Sequence, residues 1–365
     1  LIRNLNLFIL FLFFTILIWS PSNAISAESL LQGAHAVSST MPKSCRACHR
    51  GMRMTTTGEE AVCLPCHGSS TDRSTMQTRG FLSGQSVELQ DMAAVLRKPY
   101  NHPVLTVANV HRQSETLPEE QVSAARHAEC VDCHNPHQVA ADAPFRGIPG
   151  RRVVNNIIEI ENEYELCYKC HSQSANLPGS ATDKHAEFKV TNRSYHPVEG
   201  EGANSYVISL KSPYTARANR PGDISTITCG DCHGNDDPAG PRGPHGSNYE
   251  GLLIDKYEMR DGFSEGQYVY ALCYRCHERN SILGDESFPK HSLHITGRTS
   301  GGGTSCFTCH DAHGSPRYQA LIRFNEQVVR PTASGKLEYK PSGASSRSGS
   351  CTLVCHGVEH IDRTY

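Results

Sequence analysis

Apolar positions crowd one end of this chain and are thinly spread over the rest. After Arg3, Leu5 to Trp19 supplies about fifteen mostly apolar residues, and Ser22-Asn23-Ala24 follows with small side chains. Charge, apolar run and small residues in that order predict an export signal cut after Ala24, with Ala27 as second choice. The run is shorter than the roughly 20 residues a spanning helix needs. Downstream, short apolar runs predict strands over 153–160 and 207–210. Apolar stretches on either side of Ser334-Gly335 predict a hairpin over 321–339. Asp236-Asp237, in a Gly/Pro-rich stretch, reads as a solvated loop rather than a calcium site. Gly301-Gly302-Gly303 reads as a flexible linker rather than a phosphate loop.

Composition sharpens this picture. The only tryptophan, Trp19, and four of the eleven phenylalanines (Phe8, Phe11, Phe13, Phe14) lie in the N-terminal run. The remaining chain, with most of the 30 Gly and 20 Pro, has few large side chains from which to build a core. Formal net charge is −2, and no basic stretch is long enough to suggest a nucleic-acid partner.

The sixteen cysteines form eight pairs, each followed at once by histidine. They are Cys45/Cys48-His49, Cys63/Cys66-His67, Cys130/Cys133-His134, Cys167/Cys170-His171, Cys229/Cys232-His233, Cys273/Cys276-His277 and Cys306/Cys309-His310. The last pair, Cys351/Cys355-His356, is one residue wider. Disulfides or zinc sites could use paired cysteines, but neither requires a histidine next in line. Two thiols that add to the two vinyl groups of a haem, with a proximal histidine reaching the iron, do require it. Eight covalent haems c would leave about 43 residues for each, too few for a separate polypeptide core. The expected fold is therefore an irregular multihaem arrangement: loops, short helices at the motifs and a few short strands wrapped around a haem stack.

The other histidines reveal a repeat of roughly 105 residues. Each unit opens on one motif, runs to an upstream histidine and closes on a second motif with a trailing histidine. The units are 63–150, 151–255 and 256–320, with partial units at 25–62 and 321–365 and the signal over 1–24. The upstream candidates for the second axial position are His35, His102, His196 and His294; the trailing ones are His137, His245, His313 and His360. His185 and His291, each fourteen residues after a motif histidine, are held in reserve. His111 and His127 lack repeat partners and read as surface or propionate-binding residues. Met52 and Met54 near His49 are weak alternatives.

Cys130-Val131-Asp132-Cys133-His134-Asn135-Pro136-His137 and Cys306-Phe307-Thr308-Cys309-His310-Asp311-Ala312-His313-Gly314 carry a family resemblance. The chain resembles the doubled-CxxCH multihaem c-type cytochromes of metal-reducing bacteria from about His35 to His360. The resemblance implies electron transport to extracellular acceptors from the periplasm or cell surface. The implied partners are redox protein donors and acceptors, an outer-membrane porin–cytochrome conduit, or further copies in a haem filament. With histidine on both faces of each iron, the protein is an electron carrier rather than an enzyme. The competing reading is an octahaem oxidoreductase with one open haem acting on a small nitrogen or sulfur compound.

Overall fold

The computed structural model describes residues 31–55, 60–84, 89–105, 127–151, 157–173, 177–297, 302–342 and 347–365. The N-terminal apolar run, His111 and residues 153–156 lie outside the described residues. Among the described residues, eleven short α-helices, three 3-10 turns and twelve mostly two-residue strands are joined by long loops. The fold is the irregular one expected of a multihaem cytochrome.

Seven of the eight motifs sit on helical turns. Ser44–Cys48, Glu60–His67, Cys130–Cys133, Glu163–His171, Ala271–Tyr274 and Cys306–Cys309 are α-helical, and Cys229–Asp231 is a 3-10 turn. On such a turn, residues three apart share a face, which brings the two sulfurs of a motif together. Three of these turns are capped from within, as where Asp132 Oδ2 accepts from the Glu129 N–H at 2.7 Å and Asp231 Oδ2 from the Thr228 N–H at 2.7 Å. The last helical bond runs from the motif histidine, as in His134 N–H to the Cys130 carbonyl at 2.9 Å. That histidine then takes extended backbone (φ −129°, ψ 126°), which swings its ring clear of the helix.

The eighth motif departs from this pattern. Cys351 and Cys355 lie on the strand Gly349–Cys355, which pairs antiparallel with Val358–Thr364. His356 (φ 49°) and Gly357 (φ 76°) form the two-residue turn between them, a left-handed conformation at both positions as in a type I′ hairpin. The hairpin expected over 321–339 does not form. Val329–Arg330 and Glu338–Pro341 instead both pair with Gly349–Cys355, one after the other on the same edge. A turn from Thr332 to Lys336 carries the chain between them rather than folding them together. The expected strand at 207–210 is a turn with one isolated bridge, Leu210 to His277. At 153–160, only Ile157–Glu159 is described as strand, paired with Pro149–Arg151.

Two other loop expectations are corrected. Gly302 and Gly303 are packed rather than loose: a Cβ on Gly302 would strike the Gly262 carbonyl, and one on Gly303 the Ile295 carbonyl. Asp236 is half-buried, bonded by Lys98 Nζ at 2.5 Å and Asn248 at 2.9 Å, while Asp237 beside it is exposed as expected. Apolar burial is confined to small patches, notably Met41-Met76-Leu82 and Tyr270-Tyr274-Ile295. Neither is large enough to organise a chain of this length, which leaves the interior to the motifs.

Candidate functional site

Short strand pairs bring the site histidines together. Tyr100–Asn101 pairs with Gly246–Ser247, and Ser194–Tyr195 with Gly314–Ser315. Each pair sets an upstream histidine (His102, His196) beside a trailing one (His245, His313). The approach is close enough to require glycine: a Cβ at Gly246 would meet the Val95 carbonyl, and one at Gly314 the Glu187 carbonyl. The upstream Nδ1 then bonds the carbonyl of the residue just before the trailing histidine. His35 bonds Pro136 at 2.7 Å, His102 bonds Pro244 at 2.5 Å, and His196 bonds Ala312. Motif histidines use their Nδ1 likewise: His134 on Pro144, His233 on Gly251 and His310 on Ala320, at 2.8–3.0 Å. A carbonyl on Nδ1 fixes the tautomer and turns the Nε2 lone pair outward, as metal-ligating imidazoles require.

Those outward faces meet in pairs. Ring-centre separations are 6.0 Å for His67/His35, 6.1 Å for His49/His137 and 6.3 Å for His171/His102. They are 6.1 Å for His134/His245, 6.4 Å for His277/His196, 6.2 Å for His233/His313 and 6.2 Å for His310/His291. Two imidazoles on opposite faces of one metal, with bonds of about 2.0 Å and ring centres roughly 1.1 Å behind each nitrogen, stand about 6.2 Å apart. Aromatic contact alone covers this range, but it would not select one motif histidine and one spare histidine in all seven cases. Burial pushes His67, His245, His277 and His291 down to about 4, so these rings are neutral and their lone pairs available. The residues therefore fit an iron between each pair.

Six expected second ligands (His35, His102, His137, His196, His245, His313) face a motif histidine. His294 does not; the reserve residue His291, three positions earlier, faces His310 in its place. Both lie on the helix His291–Thr296, where residues three apart share a face, so sequence spacing alone could not choose between them. His294 Nδ1 bonds the Lys290 carbonyl at 2.7 Å, while His360 lies near His294. His185 faces no motif histidine; its Nδ1 bonds Glu199 at 2.8 Å, and Tyr168 bonds the same carboxylate at 2.6 Å. His127 lies 3.8 Å from Glu129, and Met52 is fully exposed. At the eighth motif, His356 Nε2 bonds Asp261 at 2.7 Å, so the nitrogen a metal would use is engaged by a carboxylate. The donor set is there, but it is not assembled as at the other seven.

The thiols give the order of the sites. The Cys63 thiol lies beside Cys130, Cys167 beside Cys229, and Cys273 beside Cys306. These contacts join motif two to three, four to five and six to seven. Between them, Cys48 lies near Cys66, Cys133 near Cys170, Cys232 near Cys276, and Cys309 near both Cys351 and Cys355. Each motif thus adjoins the next along the chain. The family described as the doubled CXXCH motif matches residues 123–176 and 224–281, which hold motifs three with four and five with six.

The motifs point to covalently bound c-type haem.

The matched segments carry paired motifs of the kind that suggests a multihaem c-type cytochrome in electron transfer. No curated protein and no solved structure matches the chain. Haem supplies the one-electron chemistry, and the protein supplies attachment, orientation and electrostatics. The motif thiols would hold the haem, the histidine pairs would offer its iron their nitrogens, and the carbonyls on Nδ1 keep the imidazoles oriented. One pair has a different surrounding: His313 Nδ1 faces Asp311 at 3.2 Å and Glu187 at 3.5 Å. Burial raises Asp311, but hydrogen bonds from His313 and the charge of Arg323 outweigh it and hold the carboxyl at about 2.

Proposed function

We propose that this chain is an exported electron relay carrying eight covalent haems c, seven of them closed by histidine on both faces. The observation that carries the proposal is the set of seven ring pairs at 6.0–6.4 Å, each joining a motif histidine to a spare one. Low-spin irons without an exchangeable face suit electron transfer rather than substrate turnover, and paired histidines favour low potentials. The motif-to-motif contacts support passage in chain order, from the periplasmic or cell-surface donor at one end towards an extracellular acceptor at the other. A porin–cytochrome conduit or another copy of the chain would suit as neighbour, since a stack ending in haem edges can be continued by a second stack.

A second reading attaches to the last motif alone. His356 is the only motif histidine that faces no second imidazole among the described residues. An iron held there by one histidine would keep an open face, where a small nitrogen or sulfur compound could react. Intact mass and magnetic spectroscopy of the oxidised protein separate the readings. The relay gives a chain beginning near Ile25 with eight haems, the seven paired sites low-spin, and no turnover of small substrates. Seven haems would remove the last site, six or fewer would sink the proposal, and one high-spin haem in eight with turnover of nitrite or hydroxylamine would favour the enzyme.

A further inference from the structure

Among the paired histidines whose Nδ1 partner is described, His313 alone faces carboxylates. His35, His102, His134, His196, His233, His294 and His310 each place Nδ1 on a backbone carbonyl. His277 uses the Ser209 hydroxyl at 2.9 Å. His313 Nδ1 lies 3.2 Å from Asp311 Oδ1 and 3.5 Å from Glu187 Oε2. Glu187 and Asp311 in turn bond Arg323, at 2.6 and 3.0 Å, and Glu187 bonds Lys184 at 2.6 Å. Lys184 Nζ also stands 3.4 Å from His313 Nδ1. Glu187, Asp311 and His313 lie close enough to suggest a cation site. Arg323 and Lys184 already occupy both carboxylates, and the other face of His313 is turned to His233, so a free cation is not what this cluster holds.

The chain carries its own control. His137 is the trailing histidine of the third motif as His313 is of the seventh. Asn135 Oδ1 accepts from the His137 backbone N–H at 3.0 Å, and Asp311 Oδ1 from the His313 backbone N–H at 2.9 Å. The two positions do the same backbone job, one neutral and one charged. The turn therefore does not need a carboxylate; only the ring beside it can feel the difference.

Resting on the haem reading above, we propose that Asp311 and Glu187 tune the fifth haem, the one attached at Cys229 and Cys232, to a lower reduction potential than its neighbours. A carboxylate that accepts the Nδ1 proton raises the basicity of the imidazole and strengthens its donation through Nε2. Donation favours ferric iron over ferrous iron, so the one-electron potential falls. Arg323 and Lys184 offset the carboxylates' bare charge, which leaves the hydrogen bond as the distinguishing effect. These are positioning residues: they act on the iron through His313. In a single-file relay, one low-potential member in the interior divides the haems into two groups that exchange electrons over it.

The test is a potentiometric titration of the holoprotein with each haem resolved by its paramagnetic NMR signals. The fifth haem is identified as the one whose signals change in a His313→Met variant. Asp311→Asn, which reproduces the neutral cap of Asn135, and Glu187→Gln are each expected to raise the midpoint of the fifth haem and leave the others nearly in place. Their imidazole signals should move towards those of the first haem, which has the neutral cap. Asp311 follows His310, so a rise confined to the seventh haem would overturn the proposal by locating the effect there. Unchanged midpoints, or a shift shared by every haem, would also overturn it. If Asp311→Asn fails to assemble, Glu187→Gln, remote from any motif in sequence, carries the same test. A protein without covalent haem would instead fail the functional reading, which the mass measurement detects separately.

Discussion

A buried imidazole that faces a second imidazole resists protonation, and this sets how the protein responds to acid. His67, His245, His277 and His291 are pushed by burial to about 4, below the roughly 6.5 of the unfolded chain. Above pH 6.5 both states are neutral and these rings leave stability unchanged. Between about 6.5 and 4 only the unfolded chain takes up protons, so stability falls as pH drops; below 4 the loss levels off. In the loaded protein iron takes the proton's place, so a pH titration of spin state should stay low-spin down to about pH 4. A high-spin component growing in near pH 6 would contradict the pairing. Substitution separates the paired histidines from the others. His137→Ala should convert one haem to high-spin, while His185→Ala, which removes the bond to Glu199, should leave all spectra low-spin and lower the thermal midpoint. A high-spin haem in the second variant would make His185 a ligand. The residue scale was also the most legible in sequence. Cysteine and histidine spacing located the motifs and six of the partners, because covalent attachment demands those residues in that order. It could not separate His291 from His294, nor see that His185 is claimed by Glu199 twelve or more residues away in the chain.

At the scale of elements, several of the shortest motif turns are stabilised by caps rather than by helix length. Turns of four or five residues are too short to persist on propensity alone. Asp261 is one such cap brought from a distance: it accepts from the Ser305 N–H and the Thr308 hydroxyl, each at 2.6 Å, at the start of Cys306–Cys309. Its other oxygen holds His356. Asp261→Ala should cost about 1–2 kcal/mol, read as a lower thermal midpoint of the holoprotein. Asp261→Asn keeps an acceptor for Ser305 and should retain most of that stability. Equal losses in both variants would mean that the charge on His356, not the cap, is what stabilises this region. Elements were where sequence reading failed most. The run around Ser334-Gly335 has hairpin chemistry, but Gly349–Cys355 competes for both arms and wins because it offers seven residues of partner. Periodicity reports that a strand is favourable, not which strand it will meet. The turn His356-Gly357 is similar: a histidine at positive φ has no strong sequence signal, and the motif spacing pointed to a helix.

At the scale of the molecule, order along the chain has become order in space. His35, His102 and His196 reach forward to the motif two places on, as His102 does to His171, whereas His291 reaches only the next motif, at His310; trailing histidines reach back by two, as His313 does to His233. Six of the seven histidine pairs thus join segments from different units, and on the proposed haem reading those units could not be separated without opening irons. The repeat itself was visible in sequence, but this interlocking was not, since nothing local distinguishes reaching forward from reaching back. Thiols that adjoin from each motif to the next describe a single file. If electrons travel it end to end, an interior haem is indispensable and a terminal one is not. Replacing Cys167 and Cys170 by Ala should remove the fourth haem, at the junction where Cys167 meets Cys229 and Cys170 meets Cys133. With a photoreductant tethered beside Cys45, the haems before the gap should still be reduced promptly. Those after it should be reduced far more slowly than in the unaltered protein, although chemical reductant reaches both groups. Removing the haem at Cys45 and Cys48 instead should leave passage between the remaining haems at its original rate. Equal rates across the gap in the fourth-haem variant would show that the file has a bypass, and the linear order inferred from the thiol contacts would be wrong.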